Sequence, residues 1–88
     1  MRETKVCVIG LGYVGLPIAR LFSTKYKTIG YDICKPRVDA LMAGHDDMLE
    51  VSDEHLQSAI SNGFKCTSDL EDVKDCNFYI VAVPTPVD

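Results

Sequence analysis

The chain has 88 residues, of which 47% are hydrophobic and 25% charged, with a formal net charge of −4. This length allows one domain at most, and the composition is that of a globular protein rather than a disordered one. The nine lysines and arginines form no basic stripe, which argues against nucleic acid or an anionic membrane surface as a partner. The first apolar run, Val6 to Ile9, is too short for a signal peptide or a membrane span, so a cytoplasmic location is expected.

The first third of the chain predicts a strand, a helix and a second strand. Lys5 to Ile9 is apolar almost throughout, as expected of a parallel strand that is buried on both faces. A helix is predicted from about Val14 to Thr24, with Pro17 in its first turn, where its missing N–H costs no hydrogen bond. Its predicted apolar face consists of Val14, Ile18, Leu21 and Phe22. Lys27 to Asp32 is the second predicted strand.

Two further helices are predicted in the middle of the chain. Lys35-Pro36-Arg37 opens the second helix, and Gly44 is a natural residue to end it. His45 to Val51 shows no clear period and is predicted as a loop. Ser52 is the predicted N-cap of the third helix, which ends at Asn62-Gly63.

The last third predicts two strands around a brief helix. Phe64 to Thr67 is a short predicted strand, and Ser68-Asp69-Leu70-Glu71 is a capping-box pattern that starts a helix to about Lys74. Asn77 to Val83 is the fourth predicted strand, which Pro84-Thr85-Pro86 ends. Strands that alternate with helices predict an α/β fold, a Rossmann-like doubly wound parallel sheet with strand order 3-2-1-4.

The fourth strand would lie at an edge of this sheet, yet it is apolar on both faces. Edge strands usually carry charges, proline or a bulge, whereas interior strands are apolar. We therefore expect more sheet beyond it, with residues 1–88 forming the amino-terminal part of a Rossmann-like domain in a larger protein. The alternative is a small independent domain, or one that dimerises through this edge.

A glycine turn, residues 10–15, separates the first strand from the first helix. Gly10 allows a tight turn, Gly12 allows the backbone to approach a diphosphate, and Gly15 allows the helix to lie close to the sheet. The helix dipole and the first-turn N–H groups favour a bound diphosphate. Glycine-rich turns also occur without a ligand, but here a strand, a helix and a second strand flank the turn as a dinucleotide site requires.

Asp32 ends the second strand, where a carboxylate accepts hydrogen bonds from the hydroxyls of an adenosine ribose. A 2′-phosphate at ~4 Å would be repelled by ~4 kcal/mol at an effective dielectric of ~20, which favours NAD over NADP. Arg37 is a competing consideration, because a guanidinium there would soften this repulsion or stack on the adenine.

The cysteines and histidines indicate neither a metal site nor a nucleophile. Cys7, Cys34, Cys66 and Cys76 form no CxxC pair and no Cys/His cluster with zinc spacing. They are predicted to be reduced thiols, with Cys7 acting as a small buried hydrophobic residue. The two histidines stand alone among polar residues and are predicted to be exposed.

Three segments resemble the start of the nucleotide-sugar dehydrogenases of the UDP-glucose and GDP-mannose type. They are Gly10-Leu11-Gly12-Tyr13-Val14-Gly15-Leu16-Pro17, Gly30-Tyr31-Asp32 with Arg37-Val38, and Val81-Ala82-Val83-Pro84-Thr85-Pro86. Within that family the chain resembles most the bacterial enzymes that act on UDP-N-acetylhexosamines for surface polysaccharides. The family tends to place Glu-Pro after the second helix, and this chain departs from the pattern with Glu50-Val51.

The residues and the resemblance together imply NAD as the cofactor. The implied contacts are Gly10, Leu11, Gly12, Tyr13, Val14, Gly15, Asp32, Arg37, Val83, Pro84 and Thr85. Tyr13 and Val14 would contact the cofactor through the glycine turn, and Thr85 would reach toward it from the end of the fourth strand.

The family oxidises the C6 alcohol of a nucleotide sugar to a carboxylate, through a thiohemiacetal on a cysteine, with two successive hydride transfers to NAD. The resemblance thus implies a UDP-linked sugar as the partner and a homo-oligomeric parent protein. The catalytic residues of the family lie beyond Asp88, so the chain alone is expected to be inactive. Two alternatives remain: a β-hydroxyacid or 6-phosphogluconate type dehydrogenase, and a non-catalytic NAD-sensing module.

Overall fold

The structure, a computed structural model, describes residues 3–12, 14–46 and 51–82. Its strands are β1 (Lys5–Ile9), β2 (Lys27–Tyr31), β3 (Lys65–Thr67) and β4 (Phe78–Val81). Its helices are α1 (Gly15–Phe22), α2 (Lys35–Met42) and α3 (Asp53–Ser61), and Leu70–Val73 forms a 3₁₀ turn. The strands form one parallel sheet in the order β3-β2-β1-β4, which confirms the predicted Rossmann-like topology.

β1 is the central strand and holds the middle of the core. It pairs with β2 from Lys5 opposite Lys27 to Ile9 opposite Tyr31, and with β4 on its other side. Val6, Cys7 and Val8 are at most 1% exposed, so both faces of β1 are buried as predicted. Burying both faces of a central strand removes the apolar run from water and fixes the position of the turn that follows it.

The predicted apolar face of α1 was partly wrong. Val14 and Leu21 are 61% and 62% exposed, whereas Gly15, Leu16 and Ala19 are buried. Ile18 and Phe22, which were predicted correctly, pack against the core. The physical reason is the close approach of Gly15 to the backbone of the glycine turn, because the face that contains Gly15 also contains positions 18, 19 and 22.

The caps of α2 and α3 confirm the predicted boundaries of these helices. Gly44 and Gly63 have φ angles of 90° and 107°, the left-handed conformation that glycine adopts after a helix. The Ser52 hydroxyl accepts a hydrogen bond of 3.2 Å from the His55 N–H at the start of α3. Of the loop predicted from His45 to Val51, residues 47–50 lie outside the described residues.

The short elements differ in detail from the prediction. The cap of the 3₁₀ turn is Asp69 rather than Ser68, because the Asp69 carboxylate accepts the Glu71 N–H at 3.0 Å. β2 and β3 are each one residue shorter than predicted, and β4 begins at Phe78. The side chains of β4 remain largely exposed, with Val81 at 65%, and further sheet beyond this strand stays a prediction.

The cysteines are free thiols, and most of them are inaccessible. Cys7, Cys66 and Cys76 are buried, and Cys34 is exposed. Burial raises the pKa of the Cys7 thiol to about 11 and that of the Cys66 thiol to about 12. The described part of the chain contains no group of side chains that would hold a metal ion. Nor does that part contain a helix long and apolar enough to cross a membrane.

The approach of α1 to the turn makes one glycine irreplaceable. A Cβ on Gly15 would lie 1.6 Å from the Gly10 carbonyl oxygen, whereas a Cβ on Gly12 would meet no atom within 4 Å. We expect Gly15→Ala to lower the free energy of unfolding by about 3 kcal/mol or more, because backbone cannot yield as a side chain does. The matched control Gly12→Ala should change it by less than about 1 kcal/mol. Urea denaturation of both variants measures this, and equal stability of the two would contradict the packing described.

Candidate functional site

The glycine turn leaves β1 at the carboxyl edge of the sheet. Gly10 has a φ of 97°, and its N–H donates to the Tyr31 carbonyl oxygen at 2.8 Å. Gly15 lies directly against the Gly10 carbonyl, so α1 starts as close to the sheet as its backbone allows. In an open parallel α/β sheet, ligands bind outside this edge. The turn therefore occupies the position where a doubly wound fold holds a nucleotide.

The outer side of the turn is open. Apart from its two chain neighbours, no atom would lie within 4 Å of a Cβ on Gly12. Val14, the N-cap residue of α1, is 61% exposed and provides no side-chain hydrogen bond to the helix. The serine cap of α3 shows the contrast, since its hydroxyl satisfies a first-turn N–H. An uncapped, exposed helix start favours an anion through its N–H groups and its dipole.

Asp32 follows β2 and lies against the glycine turn. Its Oδ2 accepts a hydrogen bond from the Leu11 N–H at 2.9 Å, and its Oδ1 accepts one from the Cys34 N–H at 2.9 Å. A carboxylate has about four acceptor positions, so each oxygen retains capacity for a ribose hydroxyl. Ile33, next to it, is 85% exposed and offers an apolar surface beside the carboxylate. Sequence analysis missed both the backbone contacts and Ile33.

Arg37 occupies a different environment from the one that stacking on an adenine requires. Its side chain is 5% exposed, its Nε donates to the Leu11 carbonyl oxygen at 2.9 Å, and its Nη1 donates to Asp46 Oδ1 at 2.6 Å. The carbonyl and the carboxylate draw the guanidinium under the turn because they satisfy its buried charge. Direct contact of Arg37 with a cofactor stays a prediction.

Asp46 is the buried partner of Arg37, a contact that sequence analysis missed. Its side chain is fully buried, and its Oδ2 accepts a hydrogen bond from the Val51 N–H at 2.9 Å. The signal was weak, since the residue stands in a stretch of mixed polarity after α2 with no periodicity. Pairing a buried carboxylate with an arginine nine residues earlier is a tertiary contact that local patterns do not encode.

Four predicted contacts lie outside the described residues. These are Tyr13, Val83, Pro84 and Thr85. The described chain ends beside the turn, because the Ala82 N–H donates to the Ile9 carbonyl oxygen at 2.8 Å. The roles of all four residues stay predictions.

A broad open groove lies at the opposite edge of the sheet. It is lined in part by Lys5, Lys27 and Lys65, which are the first residues of β1, β2 and β3. The glycine turn is at the carboxyl ends of the strands, so the groove is remote from it. It is lined by carboxylates as well as lysines, and it does not belong to the candidate site.

The fold and the turn define a dinucleotide-binding domain of a dehydrogenase. Residues 4–88 match the family model for the UDP-glucose/GDP-mannose dehydrogenase family, NAD binding domain. The chain belongs to this family and corresponds to its NAD binding domain, with NAD as the cofactor.

Similar proteins agree with this assignment. The chain is 46% identical over 85 residues to UDP-N-acetyl-D-glucosamine 6-dehydrogenase of Salmonella typhi, a match that covers 97% of this chain and 20% of that protein. A Pseudomonas aeruginosa protein of the same name is 46% identical over 88 residues, which are 100% of this chain and 20% of that protein. The chain therefore spans about a fifth of the length of these relatives.

Solved structures show the same fold. The UDP-D-ManNAc dehydrogenase of Pyrococcus horikoshii superposes with a TM-score of 0.90 at 34% identity, over 97% of this chain and 21% of that one. A ternary complex of GDP-mannose dehydrogenase from Pseudomonas aeruginosa gives a TM-score of 0.84 at 26% identity, over 94% of this chain and 20% of that one.

The position of Asp32 generates a test of cofactor choice. We expect Asp32→Ala to weaken NAD binding by about 1–3 kcal/mol, the cost of losing a charged hydrogen-bond partner. NADP binding should weaken less, because the same change also removes repulsion of the 2′-phosphate. The affinity for both cofactors should fall, because Asp32 also accepts the Leu11 N–H and so holds the glycine turn. Calorimetric titration measures the two affinities, and an equal loss for NAD and NADP would contradict the assigned role.

Proposed function

We propose that the chain is the NAD-binding part of an enzyme that oxidises the C6 alcohol of a UDP-linked sugar to a carboxylate by two hydride transfers. The family match supports the dehydrogenase class, and the relatives named above act on UDP-N-acetylhexosamines. Because these relatives are about five times longer, the substrate pocket and the catalytic residues are proposed to belong to the rest of the parent protein. The parent is proposed to be a homo-oligomer.

The observation that carries the proposal is that Asp32, the carboxylate after β2, bonds to the residue before Gly12. Beyond its chain neighbours, a Cβ on Gly12 would meet no atom within 4 Å, and α1 begins without a side-chain cap. The space admits a diphosphate with no Cβ in its way, and the amino end of α1 stabilises its charge. Asp32 lies next along the sheet, where it accepts hydrogen bonds from the adenosine ribose. The residues present therefore fit NAD.

The residues of the candidate site each bind or orient the cofactor in this proposal. The glycine turn binds the diphosphate, and Asp32 fixes the ribose and disfavours a 2′-phosphate. The positive charge of Arg37 is balanced by the carboxylate of Asp46, so it offsets this repulsion less than an unpaired cation would. Ile33 and Val14 are exposed apolar residues next in sequence to Asp32 and Gly15, and a bound nucleotide is proposed to remove part of their surface from water. NAD, when bound, accepts the hydride from the substrate carbon.

The remaining predicted contacts complete the crevice. Tyr13 is proposed to contact the cofactor from the turn, and Val83, Pro84 and Thr85 are proposed to contact it from the end of β4. Ala82 supports this placement, because it pairs with Ile9 at the same edge of the sheet. A cytoplasmic location is proposed on the basis of the four free thiols, which are typical of a reducing compartment.

Binding of NAD to the 88-residue chain tests the proposal. We expect weak binding, detectable by NMR titration as shifts of the Gly12 and Gly15 amide signals. Gly12→Ala should weaken binding at least tenfold, because its methyl group occupies the space for the diphosphate, while the open surroundings leave stability unchanged. Failure of the wild-type chain to bind NAD, or unimpaired binding by Gly12→Ala, would contradict the proposal.

The chain alone is expected to catalyse no oxidation. Its buried thiols have raised pKa values and are neutral at pH 7, so Cys7, Cys66 and Cys76 are unsuited to nucleophilic attack. Incubation with NAD and a UDP-N-acetylhexosamine should give no increase in the absorbance of reduced NAD. Sustained turnover by these 88 residues would refute the proposal that the catalytic residues belong to the rest of the parent protein.

A further inference from the structure

Leu11 is held in three ways, although it carries no chemistry of its own. Its N–H donates to Asp32, its carbonyl oxygen accepts from Arg37, and its side chain is fully buried. The side chain packs so closely against β2 that a Cβ on Gly30 would lie 2.6 Å from Leu11 Cδ2. The residue before Gly12 is thus fixed by partners from β2 and α2.

The hydrogen bond from Arg37 determines the direction of a neighbouring amide. The peptide bonds of the described chain are all trans, and a trans peptide is planar with its C=O and N–H on opposite sides. The Leu11 carbonyl and the Gly12 N–H belong to one such plane. A donor that holds the carbonyl under the turn therefore directs the Gly12 N–H to the outer side, where the diphosphate is proposed to bind.

The Arg37 guanidinium is in turn held by Asp46. The two side chains are 5% and 0% exposed, and the N···O distance of 2.6 Å is that of a charge-assisted hydrogen bond. The second oxygen of Asp46 is bonded to the Val51 N–H. A buried ion pair is weak evidence for stability, because the cost of desolvating both charges opposes their attraction. The pair nevertheless fixes the orientation of the Arg37 guanidinium.

We propose that the buried Arg37–Asp46 pair positions the glycine turn for the diphosphate of NAD, with Asp46 acting as a positioning residue that never touches the ligand. This inference rests on the proposed function. Asp46 is fully buried, so its influence on binding passes through Arg37 and the Leu11–Gly12 peptide. Arg37 then serves the cofactor from beneath the turn rather than by stacking on the adenine.

The test removes both charges together. Arg37→Met/Asp46→Asn deletes the ion pair without leaving one buried charge alone, and the Asn side chain retains an acceptor for the Val51 N–H. Arg37→Lys is a second variant, which keeps the charge but cannot donate in two fixed directions as a guanidinium does. The matched control is Asp39→Asn, which breaks the exposed Lys35–Asp39 pair of the same helix, at 3.5 Å.

Ligands with and without a diphosphate distinguish a loss of positioning of the glycine turn from a general loss of protein stability. NAD and ADP carry the diphosphate, whereas adenosine carries only the ribose and base. We expect both Arg37 variants to bind NAD and ADP about tenfold more weakly, with adenosine changed less than about twofold and the control unchanged. Equal losses for ADP and adenosine, or wild-type affinity for ADP, would overturn the proposal.

Amide hydrogen exchange gives a readout that needs no ligand. In folded samples of both Arg37 variants, the Leu11 N–H should exchange about tenfold faster than in the wild type, while amides in the middle of β1 keep their protection. Unchanged protection of Leu11 would also overturn the proposal. Failure of the wild-type chain to bind NAD would refute the proposed function instead, and the exchange result would still decide whether the pair holds the turn.

Discussion

The structure depends on how the backbone of one residue, Leu11, is held between two strands and a helix. Asp32 accepts its N–H, Arg37 donates to its carbonyl, and its side chain fills the space beside Gly30. These contacts join the end of β1 to the end of β2 and to α2. The glycine turn owes its shape to them as much as to its glycines, because a glycine permits a conformation without selecting it.

This arrangement explains why binding and folding use the same groups. Asp32 is the carboxylate proposed to hold the ribose. It also accepts hydrogen bonds from the Leu11 N–H in the glycine turn and from the Cys34 N–H before α2. A group with two such roles is already oriented before a ligand arrives, which lowers the ordering cost of binding. The family model that matches the chain is that of an NAD binding domain, and the sheet order is that of a doubly wound fold.

Much of the fold was predictable because it follows from local patterns. The apolar run of β1, the glycine at the end of α2 and the serine before α3 each encode their own element, and alternation of strands and helices encodes the sheet order. The place of Asp32 after β2 and beside the glycine turn was also predictable, since its spacing from the glycines is part of a known pattern, whereas its contact with the ribose stays a prediction. The family resemblance rested on the same residues.

The features that could not be predicted from the sequence depend on tertiary contacts. The face of α1 is set by the approach of Gly15 to Gly10, which hydrophobic periodicity alone does not reveal. The burial of Arg37 depends on Asp46, which lies in a segment with no periodicity. The sequence therefore indicated a guanidinium beside the cofactor and not its buried ion pair. Charged residues are usually exposed. One is buried only where a partner satisfies its charge, and a sequence does not reveal that partner.

The most direct measurement of the central claim is a crystal structure of the chain with NAD bound. We expect the diphosphate over Gly12 at the amino end of α1, with ribose hydroxyls hydrogen-bonded to Asp32 and the Leu11 contacts unchanged. A nucleotide seated in the lysine-lined groove at the opposite edge of the sheet, or an Asp32 turned away from the ribose, would contradict it.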